Sequence, residues 1–174
     1  GCVAAWNAGL LATDAPILVQ MSDDWIPPHK WDDLICERIG DASISSVLAV
    51  SDGHRTDNLI CLAIATRSYV MQDHFFFHPQ FTGVFSDNWF THCAYARGQV
   101  IEARDLIFQH HHPVFGAAKM DATYAAQNTP ARYAEGQAIY NALLEGNDWS
   151  SIPGFFNFFP FYHSAARRLQ DGDS

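Results

Sequence analysis

Two adjacent carboxylates, Asp23 and Asp24, follow the apolar run Ile17 to Met21 and precede Trp25-Ile26-Pro27-Pro28. Neighbouring carboxylates repel unless a cation or an arginine lies between them, so the pair suggests a divalent metal with oxygen ligands. The alternative is that one caps the following helix while the other is solvated. A second constellation is Gln109-His110-His111-His112-Pro113. Alternation along an extended chain sends His110 and His112 to one face and His111 to the other, so two imidazoles can converge. Imidazole suits manganese or zinc better than magnesium or calcium. The same triplet could instead sit in a packed turn. The third is Asp87, within Gly83-Val84-Phe85-Ser86-Asp87-Asn88-Trp89-Phe90. A carboxylate there caps a helix or, within reach of a substrate hydroxyl, acts as a general base.

The elements that must position these groups are readable from spacing. Val3 to Leu11 fits a helix closed by Thr13-Asp14-Ala15-Pro16, and Ile17 to Met21 has the continuous apolar character of a strand buried on both faces, as in a parallel sheet. Pro27-Pro28 stops the chain from extending further, and Trp31, Leu34, Ile35 and Ile39 recur at helical spacing up to Gly40. Ser46 to Val50 and Leu59 to Ile64 read as short strands, and Asp73 to Pro79 as an aromatic loop over the core. A helix is expected from Asn88 to Arg97 with Asp87 as its N-cap, then a strand from Gln99 to Phe108. Thr129-Pro130 should open a helix to Glu145, with Tyr133, Tyr140 and Leu144 on one stripe. This order implies an α/β domain with a largely parallel sheet, whose carboxyl edge is where such sheets bind ligands.

The whole chain of 174 residues, 48% hydrophobic and 14% aromatic, is enough for one core and one domain and excludes an intrinsically disordered chain. Its formal charge of −9, with Lys30 and Lys119 the only lysines, argues against a broad grip on nucleic acid phosphates. The longest apolar runs fall far short of a bilayer, and the start, Gly1-Cys2-Val3-Ala4-Ala5-Trp6, lacks the pattern of a secretory leader. Cys2, Cys36, Cys61 and Cys93 form no C-x-x-C pair; they read as reduced, buried thiols of a cytoplasmic protein. Phe155, Phe156, Phe158, Phe159, Phe161 and Tyr162 suggest an apolar arm over residues 153–162, packed on the body or on a second subunit.

Val3-Ala4-Ala5-Trp6-Asn7-Ala8-Gly9-Leu10, followed by Pro16 to Met21 and Ser22-Asp23-Asp24-Trp25-Ile26-Pro27-Pro28, resembles the corresponding stretch of the inverting GT-A glycosyltransferases of the family 2 type. Thr66-Arg67-Ser68 resembles that family's segment before its acceptor loop. Phe85-Ser86-Asp87-Asn88 is similar to its E-D signature, with Ser86 in place of the usual Glu, and His110 to His112 stand where its late metal-binding histidine does. The resemblance covers residues 3–113.

It implies a GT-A-like three-layer α/β/α fold with a mostly parallel sheet, and a hexosyl transfer from a nucleotide-sugar donor to a hydroxyl acceptor with inversion. Asp23 and Asp24 would form the D-x-D-type element that binds Mn2+ or Mg2+ against the diphosphate. His110 or His112 would be a further ligand, and Asp87 the base. Asn7, Asp23, Trp25, Arg67 and Asn88 would contact substrate. The family's opening nucleobase-binding strands have no counterpart in this sequence, so the expectation is a fragment of a longer product, a sheet completed by a partner, or an inactive protein with an incomplete nucleotide site; any of these leaves a metal site without a full donor pocket in the chain. Two other readings compete: a metal-dependent phosphoesterase in which Asp52 and Asp87 add carboxylates, and an inactive fragment serving as an interaction module that dimerises through the Phe-rich arm.

Overall fold

The computed structural model describes residues 1–146. Helix α1 (Cys2–Leu11) leads into β1 (Ile17–Val19), β2 (Trp25–Ile26), α2 (Trp31–Ile39), β3 (Val47–Ser51), β4 (Ile64–Thr66) and the short α3 (Arg67–Val70). Then come α4 (Ser86–Ala96), β5 (Val100–Ile107), β6 (Gln109–His110), a 3-10 turn at Pro113–Phe115, α5 (Ala122–Gln127) and α6 (Pro130–Glu145). Gly40 and Gly98, which end α2 and α4, have φ of +66° and +63°, a left-handed backbone that only glycine adopts freely. The Phe-rich stretch at 153–162 lies outside the described residues.

The main sheet has the order β1-β4-β3-β5. Alternation along β3 divides the core: Val47 and Ala49 join one cluster with Val3 and Leu10 of α1, Trp89 and Phe90 of α4 and Tyr140 of α6. Leu48 and Val50 join another with Ile35 and Ile39 of α2. Helices therefore cover both faces of a small sheet, and the class is mixed α/β. The expectation of a mostly parallel sheet is overturned. β4 runs antiparallel to both β1 and β3, and among the described residues β3–β5 is the one parallel pair in the sheet. An apolar run signals burial on two faces, not strand direction. A parallel pair needs a long crossover, which α3 and α4 supply between β3 and β5, whereas the link from β3 to β4 contains no helix.

The expected strand at Leu59 to Ile64 begins only at Ile64. Side chains rather than a ladder satisfy the preceding backbone: Thr91 Oγ1 accepts from Ile60 N at 2.9 Å, and the Arg104 guanidinium donates to the Asn58 and Leu59 carbonyls. The thiols also differ from expectation. All four are free, but only Cys93 is buried, while Cys2 and Cys36 are exposed.

One irregularity positions the site. The β3–β5 register holds from Val47↔Val100 to Val50↔Ala103 and then slips, so that Ser51 faces Ile107. The extra residues of β5 turn the chain out of the sheet. Phe108 N donates to Ser51 O and His110 N to Asp52 O, which swings β6 across to pair antiparallel with β2.

Candidate functional site

In the β2–β6 ribbon Trp25 faces His110 and Ile26 faces Gln109. His111 N donates to Asp24 O at 2.8 Å, which fixes the acidic turn against the histidine run. The His110 ring stacks on the Trp25 indole with 3.9 Å between centroids and 12° between planes. Held this way, His110 Nε2 lies 3.0 Å from Asp24 Oδ2, a contact between residues 86 positions apart. The other Asp24 oxygen accepts from the Ser22 hydroxyl at 2.6 Å.

The His112 ring lies 4.8 Å from that of His110, and both are half-buried, while His111 is exposed. The alternation expected of the triplet is what the chain adopts. His112 Nδ1 accepts from Val114 N, which opens the 3-10 turn and leaves Nε2 for other partners. Phe115 stacks on His54 at 4.5 Å, and Tyr124 of α5 meets the His112 ring edge-on at 4.8 Å. His54 Nε2 pairs with the His110 carbonyl at 3.1 Å. Gly53 has φ +84°, and a Cβ there would come within 2.8 Å of the Gln109 amide, so this turn approaches β6 closely.

The electrostatics give an anionic carboxylate against a neutral imidazole. Burial opposes ionisation of Asp24, but the Ser22 hydroxyl and His110 outweigh it, and its carboxyl sits below the ordinary range. Burial lowers the pKa of His110, with Asp24 and Asp52 offsetting only part of the effect. Burial and then the neighbouring His110 do the same to His112.

Asp87 is in the first turn of α4 and not at its cap, which is Phe85 with φ +71°. Its Oδ1 accepts from Asn88 N at 2.9 Å, and desolvation raises its carboxyl above the usual range against the opposing pull of Arg55. That guanidinium, paired with Asp57, also acts on Asp52, Cys61 and His112, so it links the Asp87 region electrostatically to the histidines. Spacing gave no signal for Arg55 or His54 beyond the Asp52-Gly53 turn, because their place depends on a loop without periodicity.

Other expected contacts are used otherwise. The Asn7 carboxamide oxygen accepts from Phe76 N and Phe77 N, each at 2.9 Å, and its nitrogen donates to Phe77 O at 2.7 Å. This ties the aromatic loop onto α1 and uses both lone pairs of that oxygen. Arg67 donates to the Ala15 and Thr13 carbonyls and so anchors the turn between α1 and β1. Asp23 is exposed. Trp25, at 7% exposure, presents its face to His110 and packs in the α2 cluster, the role of a buried wall.

Among the described residues, no three His, Cys, Asp or Glu side chains are arranged to hold a metal ion on their own. Asp24 and His110 bond to each other at 3.0 Å, and a carboxylate with an imidazole is a donor pair of the type that Mn2+ accepts. No helix among the described residues is long and apolar enough to cross a membrane. The chain matches no family model, no curated protein and no solved structure.

Proposed function

We propose that this protein is a GT-A-type glycosyltransferase that moves a hexosyl group from a nucleotide-sugar donor to a hydroxyl acceptor with inversion. The observation that carries this reading is the Asp24–His110 contact, in which an acidic turn and an imidazole from opposite ends of the motif-bearing region meet at 3.0 Å. Asp24 and His110, with His112 and Asp23 beside them in the chain, would hold Mn2+ or Mg2+. When bound, that ion would neutralise the charge growing on a departing diphosphate.

The chain's own groups supply the rest. Asp87 takes the proton from the acceptor hydroxyl as its oxygen attacks, and the Arg55 guanidinium favours its ionised form against burial. The rings of Phe115 and Tyr124 pack against the His112 ring and hold it in place. Asn88 follows Asp87 in the first turn of α4 and stays a candidate substrate contact. Four free thiols support a reducing, cytoplasmic setting.

The test is release of nucleoside diphosphate from a panel of nucleotide sugars with Mn2+ and hydroxyl acceptors. Release that needs both metal and acceptor, and is lost in Asp87→Asn, supports the transferase. No release across the panel overturns it, and phosphate release from a simple ester would assign a phosphoesterase instead.

A further inference from the structure

The two outer strands of the main sheet differ in character. β5 carries Glu102, Arg104 and Asp105, and charges of this kind keep an open edge from pairing. β1, at the other edge, carries none, and neither do Pro16, Gln20 and Met21 beside it. Arg67 N donates to Pro16 O and Gln20 N to Ala63 O, which settles how β1 bonds to β4. Bonded and non-bonded pairs alternate in an antiparallel ladder, so Pro16, Leu18 and Gln20 face β4, and the N–H and C=O of Ile17 and Val19 point outward. Those four groups have no partner among the described residues.

Beside this edge, Ala5, Trp6 and Gly9 of α1 meet Leu18, Val19 and Gln20 around a cavity of about 250 Å³. Gln20 is only 8% exposed, and its carboxamide has no hydrogen-bond partner among the described residues. The helix continues the uncharged surface: no side chain from Gly1 to Thr13 is charged, and Ala4, Ala5, Ala8, Gly9 and Leu11 are exposed.

We propose that β1 pairs antiparallel with β1 of a second copy of this chain, about a two-fold axis at Leu18, so that the two sheets become one. The outward groups are their own complement. Ile17 N donates to the O of the partner's Val19, Ile17 O accepts from the N of the partner's Val19, and the axis repeats the pair, which satisfies all four groups. Leu18 meets its own counterpart on the α1 side, over the two cavities, and Gln20 comes opposite the partner's Pro16. The small residues Ala5 and Gly9 let the two α1 helices draw close. A chain of net charge −9 repels its own copy except across a surface free of charge, and this edge with its helix is such a surface. A charged partner would find no counter-charge here. The proposal does not rest on the transferase reading.

Sedimentation velocity and amide hydrogen exchange of the full chain test it. Gly9→Glu puts a charge on the α1 face beside the edge, at a site where a Cβ meets nothing within 4 Å and helix propensity improves, so the fold is kept. Val19→Pro removes an outward N–H that the sheet does not use. The wild type should sediment as a dimer and both variants as monomers. The Ile17 and Val19 amides should exchange roughly tenfold or more slowly in the wild type than in Gly9→Glu. Met120→Glu, at a side chain 61% exposed on the loop before α5, should stay dimeric.

A monomeric wild type overturns the proposal; slow exchange of the two amides in that monomer would give the edge another occupant. A dimer that survives Gly9→Glu overturns it as well, by assigning the contact to another face. Should Val19→Pro not fold, Gly9→Glu and the wild-type exchange decide.

Discussion

The indole of Trp25 and the imidazole of His110 are cross-strand partners as well as stacked rings, separated by 3.9 Å. The relationship joins fold to chemistry. Trp25 is buried at 7% exposure with the α2 cluster, and through it the packing of Ile35 and Ile39 fixes the plane of a ring whose Nε2 meets Asp24.

Trp25→Ala should therefore cost about 3–5 kcal/mol in denaturant unfolding, the range for deleting a large buried aromatic side chain. Trp25→Phe should retain much of that stability and the stacking. Equal loss in both variants would show that the indole's stacking face does not carry the effect.

Gly136 on α6 is buried, and a Cβ there would stand 2.8 Å from Val84 O and 2.9 Å from Phe85 Cδ2. Alanine improves helix propensity by up to about 1 kcal/mol, but the backbone oxygen cannot yield as a flexible side chain does. Gly136→Ala should lower stability by roughly 1–3 kcal/mol and disturb Phe85, the cap ahead of Asp87. A variant more stable than the wild type would contradict this packing.

Burial raises the Asp87 carboxyl, so activity should climb with pH through a value above the ordinary carboxylate range. The folded protein then holds this proton more tightly than the unfolded chain, and ionising Asp87 as pH rises weakens the fold. Asp87→Asn should lose about 10²–10⁴-fold in rate and gain a little stability at neutral pH. A variant that keeps its rate would remove Asp87 from the chemistry.

His92 is 7% exposed, and burial pushes its pKa from 6.5 down to about 4. The unfolded chain binds this proton more readily, so stability falls as pH drops from about 6.5 towards about 4, by a few kcal/mol. Thermal unfolding across that window should show the loss, and His92→Leu should flatten it. An unchanged slope in the variant would assign the loss to other histidines.

The residues legible in the sequence were those whose pattern is local. Three-to-four spacing located α2 and α6, the Thr129-Pro130 pair marked the start of α6, and two-residue alternation put His110 and His112 on one side. The strand directions were not legible, because β1, with only Leu18 buried, packs the same whichever way β4 runs. The ribbon that unites Asp24 with His110 was equally hidden, since β2 and β6 have two residues each and two residues have no period. Asp52 read as a turn residue, which it is; only the register slip of β5 brings the His110 N–H to its carbonyl.

The account's central claim is that Asp24 and His110 together receive a divalent cation. Mn2+ is paramagnetic, so titrating it at substoichiometric amounts while recording NMR signals maps its location directly. The account predicts selective broadening of the His110, His112 and Trp25 ring signals, abolished in Asp24→Ala. Broadening centred elsewhere, or unaffected by removing the Asp24 carboxylate, would contradict it.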